Sequence, residues 1–203
     1  MNPDLSLPTY APGMRIGLFG GSFNPPHEGH RLVALQCLKR LQLDAIWILV
    51  TPGNPLKDHS QLAPLADRIA AVRALMDHPR IAVTGFEAAH SFRYTYETVS
   101  FLRSSCDGVK FVWIMGGDSL RDFHGWERWE QIAQTVPIAV YARPGANFRA
   151  TSSHAAIALR SSRIPEEAAE TLADQQPPAW VYLRGVMSTQ SSTAIRATRQ
   201  ATT

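Results

Sequence analysis

"GLFGGSFNPPHEGH", Gly17 to His30, decides how the rest of the chain is read. It joins an apolar run to a helical pattern, and between them it places four glycines, two prolines and two histidines. "MRIGLF" reads as a strand, and Gly20 and Gly21 directly after it let the backbone turn tightly and present N–H groups to a ligand at close range. Pro25 and Pro26 stiffen the approach to His27, and Gly29 lets the chain bend into a helix beginning near His30. Positions three apart share one face at a helix start, so both imidazoles point where the free N–H groups and the helix dipole already favour an anion. The Gly-Lys-Ser/Thr ending of a Walker motif and the third glycine of the dinucleotide fingerprint are both missing. These residues leave three readings of the histidine pair: a phosphate clamp, a pair of metal ligands, or a structural pair in which one imidazole caps the helix. A third metal ligand is absent nearby.

Outward from this loop, strand-length apolar runs alternate with helical periodicity, the pattern of βαβ units around a parallel sheet covered on both faces. "AIWILVT", "RIAVTG", "VKFVWIMG", "PIAVYAR" and "AWVYL" read as further strands. "HRLVALQCLKRL" reads as an amphipathic helix with Leu32, Leu35, Leu38 and Leu41 in a stripe widened by Val33 and Cys37. "ADRIAAVRALMD" turns Ile69, Val72, Leu75 and Met76 to the core, and "YTYETVSFLRSS" and "WERWEQIAQT" supply two more helices. Weaker helical pieces fall around Ala155 to Leu159 and from Glu166 to Leu172, and a short helix is expected from Ser192. The fold class is α/β: one doubly wound parallel sheet in a single domain over 14–203, preceded by a flexible leader over 1–13. Such a sheet binds ligands at the C-terminal ends of its strands. "TPGNPLK", "GGDSL" and "ARPG" all fall there, beside the glycine-histidine loop.

Composition narrows the class of partner. The chain has 203 residues, 45% of them hydrophobic, and 20 basic against 17 acidic side chains give a formal charge of +3. That mild excess, without a basic stripe interleaved with aromatics, argues against nucleic acid and suits a small polyanionic substrate. Two isolated cysteines, Cys37 and Cys106, fit a reducing, cytoplasmic setting. "MNPDLSLPTYAPG" lacks the basic and apolar regions of a signal peptide, and no apolar run reaches the roughly 20 residues of a membrane span, so no membrane partner is expected. A homo-oligomer is left open.

A second motif follows the last strand: "QSSTAIR", Gln190 to Arg196. A serine N-cap there aims the hydroxyls and N–H groups of Ser192 and Thr193 outward, with Arg196 one turn later on the same face; an ordinary capped helix with a solvated arginine fits equally. "HEGH" and "SSTAIR" together resemble the nucleotidyltransferase superfamily, whose members carry (H/T)xGH after strand one and (I)SSTxIR near the end, with Gln190 standing in place of the isoleucine. "GGSFNPPHEGH", with "MGGDSL", "GWERWEQI" and "YARPG" in order, is similar to the bacterial nicotinate-nucleotide adenylyltransferases within it.

The resemblance implies a Rossmann-like fold and adenylyl transfer from ATP to nicotinate mononucleotide, with Mg²⁺ carried on the ATP phosphates and no metal bound by the chain itself. It implies catalytic roles for His27, His30 and Arg196, and an ATP subsite of Gly20, Gly21, Ser22, Phe23, Ser192 and Thr193. It further implies a mononucleotide subsite of Lys57, Thr95, Asp118, Trp126 and Arg143. Each has a plainer reading: Lys57 and Arg143 as solvated cations, Asp118 as an N-cap, Trp126 as core, Thr95 and Tyr94 as caps of their helix, Ser22 closing its turn. The rival functions are transfer to nicotinamide mononucleotide or another small phosphate acceptor, and a nucleotide-binding regulator without turnover.

Overall fold

A computed structural model describes residues 2–53, 62–142, 150–185 and Ser192. Six strands carry it: β1 (Arg15–Gly21), β2 (Ala45–Val50), β3 (Ile81–Thr84), β4 (Lys110–Gly116), β5 (Ile138–Tyr141) and β6 (Trp180–Leu183). They form one sheet in the order β3-β2-β1-β4-β5-β6, and every pairing is parallel. The chain builds outward from β1 to β3, then crosses back to lay β4 on the other side of β1. The order therefore reverses at the β1/β4 junction, the doubly wound arrangement expected from the alternating pattern.

Alternation along each strand sorts the core into two layers. Ile16, Leu18, Trp47, Leu49, Phe111, Trp113 and Met115 bury on one face, with Val99 and Leu102 of helix α4 (Thr95–Ser105) and Ile132 of α6 (Trp129–Thr135). Phe19, Ile46, Ile48, Val112 and Ile114 bury on the other, against α1 (Glu28–Arg40), α2 (Leu65–Leu75) and a 3₁₀ segment over Glu166–Asp174. Three short helices complete the described residues: α3 (Phe86–Ala89), α5 (Gly117–Asp122) and α7 (His154–Ala158). The α1 stripe differs from the leucine series expected for it. Val33, Ala34, Cys37, Leu38 and Leu41 are buried while Leu32 and Leu35 are half-buried, because a spacing of four rather than three follows the helix's 3.6-residue turn.

The leader expected as loose is instead held against the body. Leu7 and Tyr10 pack on the first core layer, with the Tyr10 ring 6.0 Å from Trp47. Asp4 pairs with Arg73 at 2.6 Å, and its carbonyl accepts from Gly85 N–H at 2.8 Å. Thr84 Oγ1 donates to Ser6 O at 2.7 Å and accepts from Phe86 N–H at 3.1 Å. β3 is the edge strand on this side, and the segment supplies the apolar cover and backbone groups that its end would otherwise lack. Thr84→Val should leave the shape intact and strand both partners, lowering stability by about 1–3 kcal/mol. Chemical denaturation of the two proteins measures it.

Candidate functional site

The parallel sheet sends every strand's C-terminal end to one edge, and the described candidates gather there. β1 runs through Gly20 and Gly21 rather than stopping before them, with Gly21 still in register with Val50 of β2. Neither glycine takes a positive φ. Their lack of a side chain answers to neighbours instead: a Cβ on Gly20 would stand 2.9 Å from Cη2 of Trp113, and one on Gly21 3.2 Å from the Phe23 ring. The turn is made by Phe23, a non-glycine at φ 47°. Phe23 is buried, edge-on to Phe19 at 5.7 Å and to the His30 ring at 4.9 Å. It is thus the wall on which His30 rests.

Asn24 leads through a cis bond to Pro25, and His27 is the N-cap of α1. The expectation that the two histidines share one face holds: their rings lie 3.8 Å apart at 32°. His27 N–H donates to His30 Nδ1 at 3.2 Å, half of a reciprocal capping box. An Nδ1 that accepts puts the proton of a neutral His30 on Nε2, a donor on the outer edge of the ring. One nitrogen organises the helix start, and the other carries the proton of the neutral ring.

Ser192 brings the second motif to the first, its Oγ donating to Pro25 O at 2.9 Å. Thr193, Arg196, Lys57 and Arg143 lie outside the described residues. Asp118 sits exposed in the first turn of α5, whose N-cap is Gly116, so its carboxylate is not the cap. Trp126 precedes its helix instead of opening it. Arg128, at φ 52°, turns the chain so that α6 begins at Trp129. Half-buried, Trp126 stands edge-on to Trp113 at 6.4 Å and to Phe123 at 5.4 Å. Trp113 therefore bridges Gly20 to Trp126, and its buried Nε1 finds no acceptor among the described residues.

Thr95 opens α4, where Glu97 Oε2 accepts from Arg93 and Tyr94 N–H at 2.8 and 2.9 Å. The Arg128 guanidinium lies 4.6 Å over the Tyr96 ring and ties this helix start to the turn after Trp126. Two buried ionisable groups escaped sequence reasoning. Arg68 of α2 donates to Ser22 O and Thr51 O, and Glu87 of α3 accepts from Thr98 Oγ1 of α4 at 2.6 Å. Arg68 sat inside a helical pattern as an ordinary solvated charge and Glu87 in a stretch assigned to no element, and only tertiary packing buries them. Burial, opposed by the Thr98 hydrogen bond and aided by the charge of Glu97, pushes the Glu87 carboxyl up to about 7.

Among the described residues no group of three or more His, Cys, Asp and Glu is placed to hold a metal ion, and no helix is long and apolar enough to cross a membrane. Residues 18–198 match the cytidylyltransferase-like family model. A protein of Methylorubrum extorquens assigned as a nicotinate-nucleotide adenylyltransferase is 55% identical over 183 residues, 90% of this chain and 99% of its own length. One of Mesorhizobium japonicum with the same assignment is 52% identical over 190 residues, 94% and 97% of the two chains. Among solved structures, the Plasmodium falciparum nicotinic acid mononucleotide adenylyltransferase complexed with NaAD shares the fold, with a TM-score of 0.68 at 16% identity over 91% of this chain and 83% of that one.

The raised Glu87 carboxyl has a stability signature. The folded protein keeps this proton up to about pH 7 while the unfolded chain releases it near its ordinary 4.5, so stability falls as pH rises between those values, by about 3 kcal/mol at most. Glu87→Gln keeps an acceptor for Thr98 without the titration. Its stability relative to the parent should therefore grow from pH 5 to pH 8, as parallel urea unfolding at both values would record.

Proposed function

The chain belongs to the cytidylyltransferase-like family, and on that premise we propose that it transfers the adenylyl group of ATP to nicotinate mononucleotide, forming nicotinate adenine dinucleotide and pyrophosphate in NAD biosynthesis. Identity of 55% over 90% of the chain to a relative so assigned carries this reading. The chemistry of the site supports it. A phosphate monoester with a second pKa of about 6 is largely dianionic at neutral pH and needs no general base to attack the α-phosphorus. What remains is in-line positioning and stabilisation of charge gathering on the leaving pyrophosphate.

His27 and His30, at the start of a 13-residue helix on the sheet's ligand edge, supply donors and a positive dipole end for that charge. Arg196 and Thr193 of the second motif join them in this reading. Gly20, Gly21, Ser22 and Phe23 form the loop over which ATP lies, with Phe23 acting through the ring of His30. On the acceptor side, Asp118 takes ribose hydroxyls, Trp126 stacks on the pyridine, Lys57 and Arg143 meet phosphate, and Thr95 at the α4 start meets the nicotinate carboxylate. The donor set around the loop is imidazoles, hydroxyls and backbone N–H groups, which bind phosphate rather than a hard cation. Mg²⁺ would accordingly be held by the triphosphate of ATP rather than by these residues, and would supply neutralisation of phosphate charge there. The reaction runs in the cytoplasm on this account, in keeping with two free, buried cysteines.

Two measurements test it. The positive end of the α4 dipole suits a carboxylate and gains less from a neutral amide, so kcat/KM with nicotinate mononucleotide should exceed that with nicotinamide mononucleotide by about 10²–10⁴. Equal values would remove the nicotinate assignment and leave adenylyl transfer standing. His30→Ala should cut kcat/KM by roughly 10²–10³ while lowering Tm by only about 2–4 °C, the share of a lost cap. Unchanged turnover in the folded variant would return His30 to a purely structural role.

A further inference from the structure

Among the described residues Arg68 is the only lysine or arginine that is fully buried, at 3% exposure. Its hydrogen bonds among the described residues go to backbone carbonyls: Nη1 to Ser22 O and Thr51 O, both at 2.8 Å, Nε to Ala63 O at 2.8 Å, and Nη2 to Pro52 O at 3.4 Å. No carboxylate among the described residues lies within ion-pair distance of it. Burial alone pulls its pKa below the usual arginine value, and a guanidinium still stays charged at neutral pH. A buried charge without a counter-ion is costly, and an ordinary surface helix position such as this one has no reason to bear that cost for packing alone.

The acceptors show what the cost secures. They belong to the ends of β1 and β2 and to the far side of the connection after β2, where Asn24 Oδ1 also accepts from Ala63 N–H at 3.3 Å. One guanidinium fork thus fixes three backbone segments that share no other common partner in these bonds. A trans peptide holds its C=O and N–H in opposite directions. By gripping Ser22 O from the α2 side, Arg68 turns the Phe23 N–H to the opposite side of the loop. Phe23 at φ 47° occupies a region that non-glycine residues avoid, and it persists only where its surroundings over-determine it. The grip on the preceding carbonyl and the wall of Phe19 and His30 on the ring are those surroundings.

We propose that Arg68 is a positioning residue for the adenylyl-transfer site: it sets the Ser22–Phe23 peptide so that the loop after β1 offers its N–H groups to the ATP phosphates, and it adds beneath that loop a positive charge that no carboxylate among the described residues cancels. The proposal rests on the reading that this loop takes those phosphates. It acts through backbone, with no contact between Arg68 and substrate.

The test is binding rather than turnover. Kd values for ATP with Mg²⁺ and for adenosine are measured by displacement of a fluorescent ATP analogue from the parent, Arg68→Met and Arg68→Lys, each shown folded by thermal unfolding. Arg68→Met should weaken ATP by about tenfold or more and adenosine by less than about twofold, and Arg68→Lys, which keeps the charge but not the fork, should fall between. ATP and adenosine weakened equally would mark general loosening and overturn the proposal, as would an unchanged ATP affinity. Should Arg68→Met not fold, Arg68→Lys decides by the same ratio: a selective loss for ATP supports the proposal, and an unchanged ratio overturns it. A parent protein that binds no ATP would remove the functional reading together with this one, whereas normal ATP affinity in the variants removes this one alone.

Discussion

The structure depends on β1 being hydrogen-bonded on both sides by strands that run the same way. That single pairing fixes where the chain reverses direction of growth. It puts the loop after β1 beside the loop after β4, and all six strand ends on one edge. Residues far apart in sequence are thereby brought to that edge. Hydrophobic burial on two faces stabilises the sheet, but parallel pairing decides which end of it becomes chemical.

From that edge inward, the site is organised in layers of support. The imidazoles of His27 and His30 are oriented by each other and by the Phe23 ring; the turn at Phe23 is held by Arg68; the Arg68 fork reaches across to the ends of β2 and its following connection. Around Trp126 the aromatic column of Trp113 and Trp126 and the Arg128–Tyr96 stack do the same work with rings. The two systems differ in kind. The loop after β1 is fixed by hydrogen bonds to backbone, which are directional and tolerate little displacement. Trp126 is fixed by edge-on aromatic contact, which is less directional.

Much of this was legible in the sequence, because local signals and tertiary need coincided there. Strand-length apolar runs between helical patterns gave the α/β class, and the spacing of His27 and His30 gave their shared face. Other features required the folded chain. The burial of Arg68 and Glu87 is set by what other elements bring to them, and a charged residue carries no mark of it in the sequence. The α6 boundary depends on a left-handed Arg128 that no glycine or asparagine announces. Gly20 and Gly21 were read as making a turn that Phe23 makes; the smallness of Gly20 answers to Trp113 across the β1–β4 pairing, and that of Gly21 to Phe23 two residues on. The leader differed for a related reason, since Leu7 and Tyr10 find their apolar partners only across the sheet.

The contact between Gly20 and Trp113 makes three positions a single mutational unit. A methyl group at position 20 would need the indole at 113 to retreat, and Trp126 rests edge-on against that indole. Substitution at any one of them is therefore conditional on the others, and their effects will not add. Evolutionary drift at the loop after β1 is tied in this way to drift at Trp126: a lineage that enlarges residue 20 must move or shrink residue 113, and in doing so it re-shapes the surface on which Trp126 rests.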